Sequence, residues 1–517
     1  MKSSLFSAAL LSATMLAGCA TQTAVEATAP AAPSYGRTIV TPVQAEDSYY
    51  TTAQARVSAR AETRGAGQAR NVIIFVGDGM GISTITAARI YAGQSQGLDG
   101  ESYQLTMETF PNVALSKTYS DNFQTADSAA TAVAMMTGVK TDSGTLGFDR
   151  NVQAGNCAAS LGHEVESLFS MAEAQDFSTG VVSTARITHA TPAATYSHSP
   201  SRDWEFDGAV GAQAGLGCRD IASQLIDFPA GDGLELAMGG GRSNFMTNEQ
   251  ADPEYEGRTG RRGDGRDLVA EWSAKSDDHT FIYDQAGFDA INFDSDVRVL
   301  GLFEPSHMQF EQDRPNDTAG EPSLSELTEA AITRLSRDED GFVLMVEGGR
   351  IDHAHHGGNA HRALVDAVAF DDAIRTAVEM TDASETMILV TADHSHTMTI
   401  AGYAARGNPI LGLARSEVGA LLRASDGRPY TTLGYANGPG AVCTAADNGA
   451  CERGDLTDVD VEAPDYQQQS TYPMGSETHG GEDVAIFATG AGSERVGGVM
   501  EQNEIFFALA QSLGLVD

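Results

Sequence analysis

Several scarcities narrow this sequence before any motif does. Basic residues are few, 32 Lys and Arg against 71 Asp and Glu, leaving a formal charge of -39 and a pI near 4.5. So acidic a chain lacks the basic patches that nucleic acid and anionic lipid surfaces require. Long apolar runs are also rare. LFSAALLSATMLAG, after Met1-Lys2, is too short to span a bilayer, and no later segment is long and apolar enough to be a membrane helix. Cysteine is sparse, five in 517 residues, with no Cys-x-x-Cys pair, which argues against thiolate zinc sites and redox chemistry. No internal repeat is evident, the glycines match neither Walker nor dinucleotide spacing, and no His-Asp relay is obvious beside a serine.

What is present suffices for a large core. Hydrophobic residues make up 41% of the chain, enough for one big α/β domain or two smaller ones. The first 18 residues read as a signal peptide. It closes on Leu16-Ala17-Gly18-Cys19, which resembles the lipobox of bacterial lipoproteins, with Cys19 the lipidated residue. Residues 19–46 are Ala/Thr/Pro-rich without period and read as a tether, so the folded domain is expected over 47–517. The protein is expected outside the cytoplasm, in the periplasm or at the cell surface, touching the membrane through the anchor alone. The other four cysteines permit two disulfides, and Cys443 with Cys451 can close a small loop.

Buried-strand compositions recur and end alike. Asn71–Gly77 delivers Asp78, the apolar run from Phe342 delivers Glu347, Asp352, His353, His355 and His356, and 387–392 delivers Asp393, His394 and His396. The run 180–185 leads to His189 and Thr191, and 484–488 follows His479. Helical stretches lie between, so a mostly parallel α/β sheet with helices on both faces is expected, and open α/β sheets place their sites at the carboxyl ends of strands. Residues 403–476 break the alternation and read as an inserted subdomain. Ser128 stands at or near the start of an Ala-rich helix, where it either caps the helix or serves as a nucleophile activated by a bound metal.

VGDGMG at 76–81, TADSAATA at 125–132, ITHATPAATYSH at 187–198, LFEP at 302–305, VEGGRIDHAHH at 346–356, TADHSH at 391–396 and ETHGGEDVAIFA at 477–488 stand in the order of the alkaline phosphatase family. The sequence resembles that family's animal-type branch most closely. The resemblance implies two zinc ions, one held by Asp352, His356 and His479, the other by Asp78, Asp393, His394 and the Ser128 oxygen. It implies Mg²⁺ on Asp78, Thr191 and Glu347, phosphate held by Arg202, and His189 and His353 standing behind Mg²⁺ and phosphate. Glu254, the Phe303 carbonyl, Glu304 and Glu321 match the animal enzymes' Ca²⁺ ligands, although the family usually has Asp at the Glu321 position. The same resemblance implies a crown-like insert, a homodimer, and phosphomonoester hydrolysis through a phosphoserine. A diesterase or sulfatase sharing the metal core, and a non-catalytic binding lipoprotein, are the alternatives. His355 is expected to be a structural neighbour, pointing away along an extended segment. His396 and His198 are expected either to stand behind the ligands and orient them or to be packing residues.

Overall fold

The computed structural model describes residues 35–441, 444–445 and 451–517. The signal peptide, Cys19 and Cys443 lie outside them.

Strand β1 (Asn71–Gly77) shows how the sheet is buried. Val72, Ile74 and Val76 enter one apolar layer with Tyr50, Met136, Phe506 and Phe507. Ile73 and Phe75 enter the other, with Ile85, Leu327, Leu364 and Phe370. Alternate residues of a strand point to opposite faces, so a strand apolar at every position demands cover on both. Helices α1 (Ser48–Arg64), α3 (Ser128–Thr137) and α7 (Glu504–Ser512) contribute to the first layer. Helices α2 (Ile82–Ser95), α4 (Leu324–Leu335) and α6 (Ala360–Met380) contribute to the second.

The remaining strands of the main sheet are β2 (Asn112–Lys117), β3 (Ser178–Arg186), β4 (Leu236–Gly240), β5 (His279–Ile282), β6 (Arg298–Leu302), β7 (Phe342–Gly348), β8 (Thr386–Ala392), β9 (Val484–Gly490) and β10 (Gly498–Glu501). Their order across ten strands is β10-β2-β9-β8-β1-β7-β3-β4-β6-β5. Only β9 runs against its neighbours, pairing antiparallel with both β2 and β8. The mostly parallel sheet covered on both faces is therefore as expected.

Two expectations need correction. Residues 35–46 are not a free tether: Val40 N donates to the Leu515 carbonyl (2.7 Å), and the buried Gln44 amide donates to the Thr137 and Glu166 carbonyls (3.0 and 2.9 Å). The Arg37 guanidinium also donates to the Ala69, Leu513, Arg70 and Asp340 carbonyls, so polar groups hold much of the segment and leave no apolar period to read. Residues 350–356 are not extended either. They form helix α5 (Arg350–His356), so His355 points away because it lies on another helical face, bonded to Tyr435 and Thr84.

Within residues 403–476, Leu413, Leu456 and Val461 form a small cluster of their own, while Ile410, Leu411, Leu433 and Tyr435 join the second main layer. A three-stranded sheet of Met398–Ile400, Leu433–Gly438 and Ser470–Pro473 lies here. Cys157 and Cys218 form a disulfide.

Candidate active site

Register brings the acids together. Val76 of β1 is paired with Glu347 of β7 on one side and Thr391 of β8 on the other, so Asp78, Glu347 and Asp393 emerge at one level of the carboxyl edge. The reversed β9 begins at that same edge, because Ile486 pairs with Thr391; the preceding residues therefore deliver His479 there. Strand β2, paired with β9, ends at the edge too and leads through 118–127 to Ser128.

Ser128 does not cap its helix. Asp127 does, accepting from Ala130 N at 3.3 Å, which leaves the buried Ser128 hydroxyl 3.2 Å from His394 Nε2. Asp127 also accepts from Arg202 Nη1 (3.1 Å), while Arg202 Nη2 donates to His189 Nε2 (3.0 Å). The guanidinium is thus held between two partners with its fork near the serine's helix.

Three groups of donor atoms surround this serine, each with its atoms within 4.8 Å of one another: Asp352, His356, His396 and His479; Asp78, Asp393 and His394; Asp78, His189 and Glu347. Asp352 and His356 stand one helical turn apart on α5, so their donors meet. Nδ1 of His356 contacts the Glu477 carbonyl at 2.6 Å, and Nδ1 of His479 the Ala126 carbonyl at 2.8 Å. A carbonyl only accepts, so both Nδ1 atoms carry the proton and both Nε2 atoms present lone pairs. Those two Nε2 atoms lie 3.2 Å apart, each 3.4 Å from Asp352 Oδ1. Lone pairs facing one another beside a carboxylate fit a cation between them.

The second and third groups make the same demand. Neither oxygen of the fully buried Asp78 has a hydrogen-bond partner, and Glu347 Oε1 also lacks one. Burial raises the Asp78 pKa, and the charges of Asp393, Asp352 and Glu347 raise it further. Burial likewise pushes Glu347 up to about 7. Unpaired buried carboxylate oxygens are costly unless protonated or bound to cations. Thr191 is buried in the same region, and the resemblance places it with Asp78 and Glu347 on one ion.

The His353 ring packs tilted against His307, 4.0 Å between centroids, and lies 5.5 Å from His189, behind Arg202. His307, paired with Arg186, was missed in the sequence; its place just past β6, at the same sheet edge, was the available signal. Of the two readings for His396, support of the ligands fits and plain packing does not: its Nε2 lies 2.7 Å from Asp352 Oδ1 and its Nδ1 against Glu477, and although burial opposes its charge, these two carboxylates raise it to about 9.

The fourth candidate site differs from expectation. Glu254, Glu304 and Asp317 gather their oxygens within 4.8 Å, and Glu321 is not among them. Glu321 Oε1 accepts from Gln309 N (2.8 Å), and burial pushes the acid up to about 8. The Phe303 carbonyl accepts from Arg242 Nη1 at 3.1 Å, and Glu254 from Arg242 Nη2 at 3.0 Å. Asp317 lies in the loop 311–320, where the resemblance fades, so motif matching did not reach it.

A buried serine facing carboxylate and imidazole donors at the carboxyl edge of a mostly parallel sheet defines a class, α/β proteins with a serine beside donor sets that suit divalent cations. Within that class the chain belongs to the alkaline phosphatase family, whose sequence profile matches residues 69–515. It is 44% identical over 452 residues to the tissue-nonspecific alkaline phosphatase isozyme of Gallus gallus, covering 86% of this chain and 84% of that one. It is 43% identical over 456 residues to an alkaline phosphatase of Gadus morhua, covering 87% and 92%. The fold matches alkaline phosphatase from Thermus thermophilus (TM-score 0.60, 25% identity, 87% and 92% covered) and from the Antarctic bacterium TAB5 (0.58, 23%, 87% and 100%).

Proposed function

We propose that the protein releases inorganic phosphate from diverse phosphomonoesters through a phosphoserine at Ser128. The observation that carries this reading is the uncapped Ser128 hydroxyl, buried at a helix start and facing His394 beside Asp78 and Asp393. Asp352, His356 and His479 would hold one zinc ion, Asp78, Asp393 and His394 the other, and Asp78, Thr191 and Glu347 a magnesium ion. When bound, these ions supply the positive charge that lowers a hydroxyl's pKa and offsets charge on phosphoryl oxygens. Oxygen ligands alone suit Mg²⁺, and mixed nitrogen and oxygen suits Zn²⁺.

Ser128 Oγ attacks phosphorus in line, forming the Oγ–P bond as the ester P–O bond breaks. Arg202, oriented by Asp127 and His189, holds two phosphoryl oxygens with its planar fork. Water then hydrolyses the phosphoserine, freeing phosphate and regenerating the hydroxyl. His353 and His307 pack behind His189 and fix its ring. A diester keeps two free oxygens for the Arg202 fork but carries a second substituent where a monoester has its third, and that substituent would have to fit among the buried groups of the site, which favours monoesters.

Acid quenching with labelled substrate tests the reading: label should appear on Ser128, and Ser128→Ala should lose about a thousandfold or more in kcat/KM with metal content intact. Preference for diesters or sulfate esters would overturn it.

Calcium is proposed at Glu254, Glu304 and the Phe303 carbonyl, with Asp317 in place of Glu321. Asp317→Asn should then abolish a calcium-dependent rise in Tm that Glu321→Gln retains. The Cys157–Cys218 disulfide supports an extracytoplasmic setting, with Cys19 the proposed lipid anchor of an outer-membrane lipoprotein. Among the described residues no helix is long and apolar enough to cross a membrane. Homodimerisation is supported by Tyr403, fully exposed and held at a left-handed φ of 58°, beside exposed Ile400.

A further inference from the structure

The phosphate end of the site is built from charge, but its mouth carries a large apolar side chain that the chemistry above does not use. Phe123 is 57% exposed. It is nevertheless held in place. Its N–H donates to Ser120 Oγ (3.0 Å), Ser120 N–H donates back to the Phe123 carbonyl (3.1 Å), and Ser143 N–H donates to the neighbouring Asn122 Oδ1 (2.9 Å). Leaving more than half of a phenylalanine exposed on a turn tied to the next loop forgoes much of the burial that its ring could have.

The ring borders an open pocket of ≈ 440 Å³ that it shares with Ala126, Asp127, Thr478 and His479. That volume lies within the range of small-molecule sites. The pocket begins at the reacting centre: His479 faces Asp352 through Nε2, and Asp127 holds Arg202. It ends at Phe123. No lysine or arginine is among its lining residues, and Asp127 adds negative charge. Such a wall repels an anionic leaving group and favours an uncharged flat one, because an aromatic ring attracts another edge-on or offset.

We propose that Phe123 is the outer wall of a leaving-group subsite that takes a planar aromatic group. This rests on the phosphomonoesterase reading and adds a substrate class to it: esters whose leaving group carries an aryl ring or a nucleobase, over small alkyl phosphates.

The test compares wild type, Phe123→Ala and Phe123→Tyr. Competitive inhibition by phenylphosphonate and methylphosphonate reads binding without turnover. The kcat/KM ratio of phenyl phosphate to ethyl phosphate, and of adenosine 5′-phosphate to ethyl phosphate, reads selectivity, and intrinsic leaving-group reactivity cancels between variants. In Phe123→Ala the phenyl-to-methyl affinity ratio should fall about fivefold, the aromatic-to-ethyl kcat/KM ratio should fall similarly through KM, and Phe123→Tyr should restore both. A fall for phenyl phosphate places the aromatic group next to the ester oxygen, and one for adenosine 5′-phosphate places it a sugar's length away; either supports the subsite. Ratios unchanged in Phe123→Ala, or losses equal for aromatic and alkyl ligands, overturn it. A wild type that hydrolyses none of the three esters would sink the phosphomonoesterase reading instead, a separate result.

Discussion

Two buried acid clusters sit at opposite edges of the same sheet, and they are neutralised by different means. At the carboxyl edge, Asp78, Glu347, Asp352 and Asp393 converge, and both Asp78 oxygens lack hydrogen-bond partners. At the amino edge, Glu173 and Glu235 are equally buried, but the chain answers them itself. Arg298 Nη2 lies 2.9 Å from Glu235, Thr179 N donates to Glu235 at 2.6 Å, and the Thr179 hydroxyl donates to Glu173. Burial raises Glu173 to about 8, helped by the Glu235 charge, so it keeps a proton at neutral pH. One cluster is closed by protein groups and a proton; the other presents lone pairs to something from outside. A binding site is the cluster left electrically unfinished.

The sharpest way to break that comparison is to remove metal. Dialysis against EDTA should abolish activity by on the order of a thousandfold or more and lower Tm, with both restored by zinc and magnesium. Unchanged Tm and activity would mean that the carboxyl-edge acids are also neutralised internally. Next in size, Arg298→Met should destabilise the fold by about 2–4 kcal/mol in urea titration at pH 8, leaving metal content unchanged, because it strands Glu235 without its cation.

The smallest effect carries a sign. Glu173 has a folded pKa of about 8, above its ordinary value of 4.5. Its contribution to stability is therefore full below that ordinary value and is lost as pH rises toward 8, since the unfolded chain gives up the proton first. Glu173→Gln should flatten this decline and gain about 1–2 kcal/mol at pH 9 relative to wild type. An equally steep decline in the variant would show that the ionised acid is tolerated and that the decline has another source.

Much of the site was legible because buried strands leave continuous apolar runs, and whatever polar residue follows stands at a sheet edge. Asp78, Asp393 and the acids of 347–356 were readable on that ground. His396 was readable only as one of two alternatives, support of the ligands or packing, because the choice depends on Asp352 and Glu477 lying across from it, on other elements. Asp317 was hidden for a different reason: its loop departs from the family in length, and alignment by motif stops where loops change. The helical state of 350–356 also escaped, since a seven-residue helix is too short for its period to show.

The kinds of donor atom, the strands that carry them and the family resemblance were settled by the sequence alone, because apolar period and residue chemistry are local properties. Which donors share an ion was decided by the tertiary structure. Strand order is not chain order: β8, β1, β7 and β3 are neighbours only after folding, and one reversed strand, β9, turns His479 toward the same edge. Distances of a few ångströms between residues hundreds apart in the chain are set by register, and register is a property of the sheet.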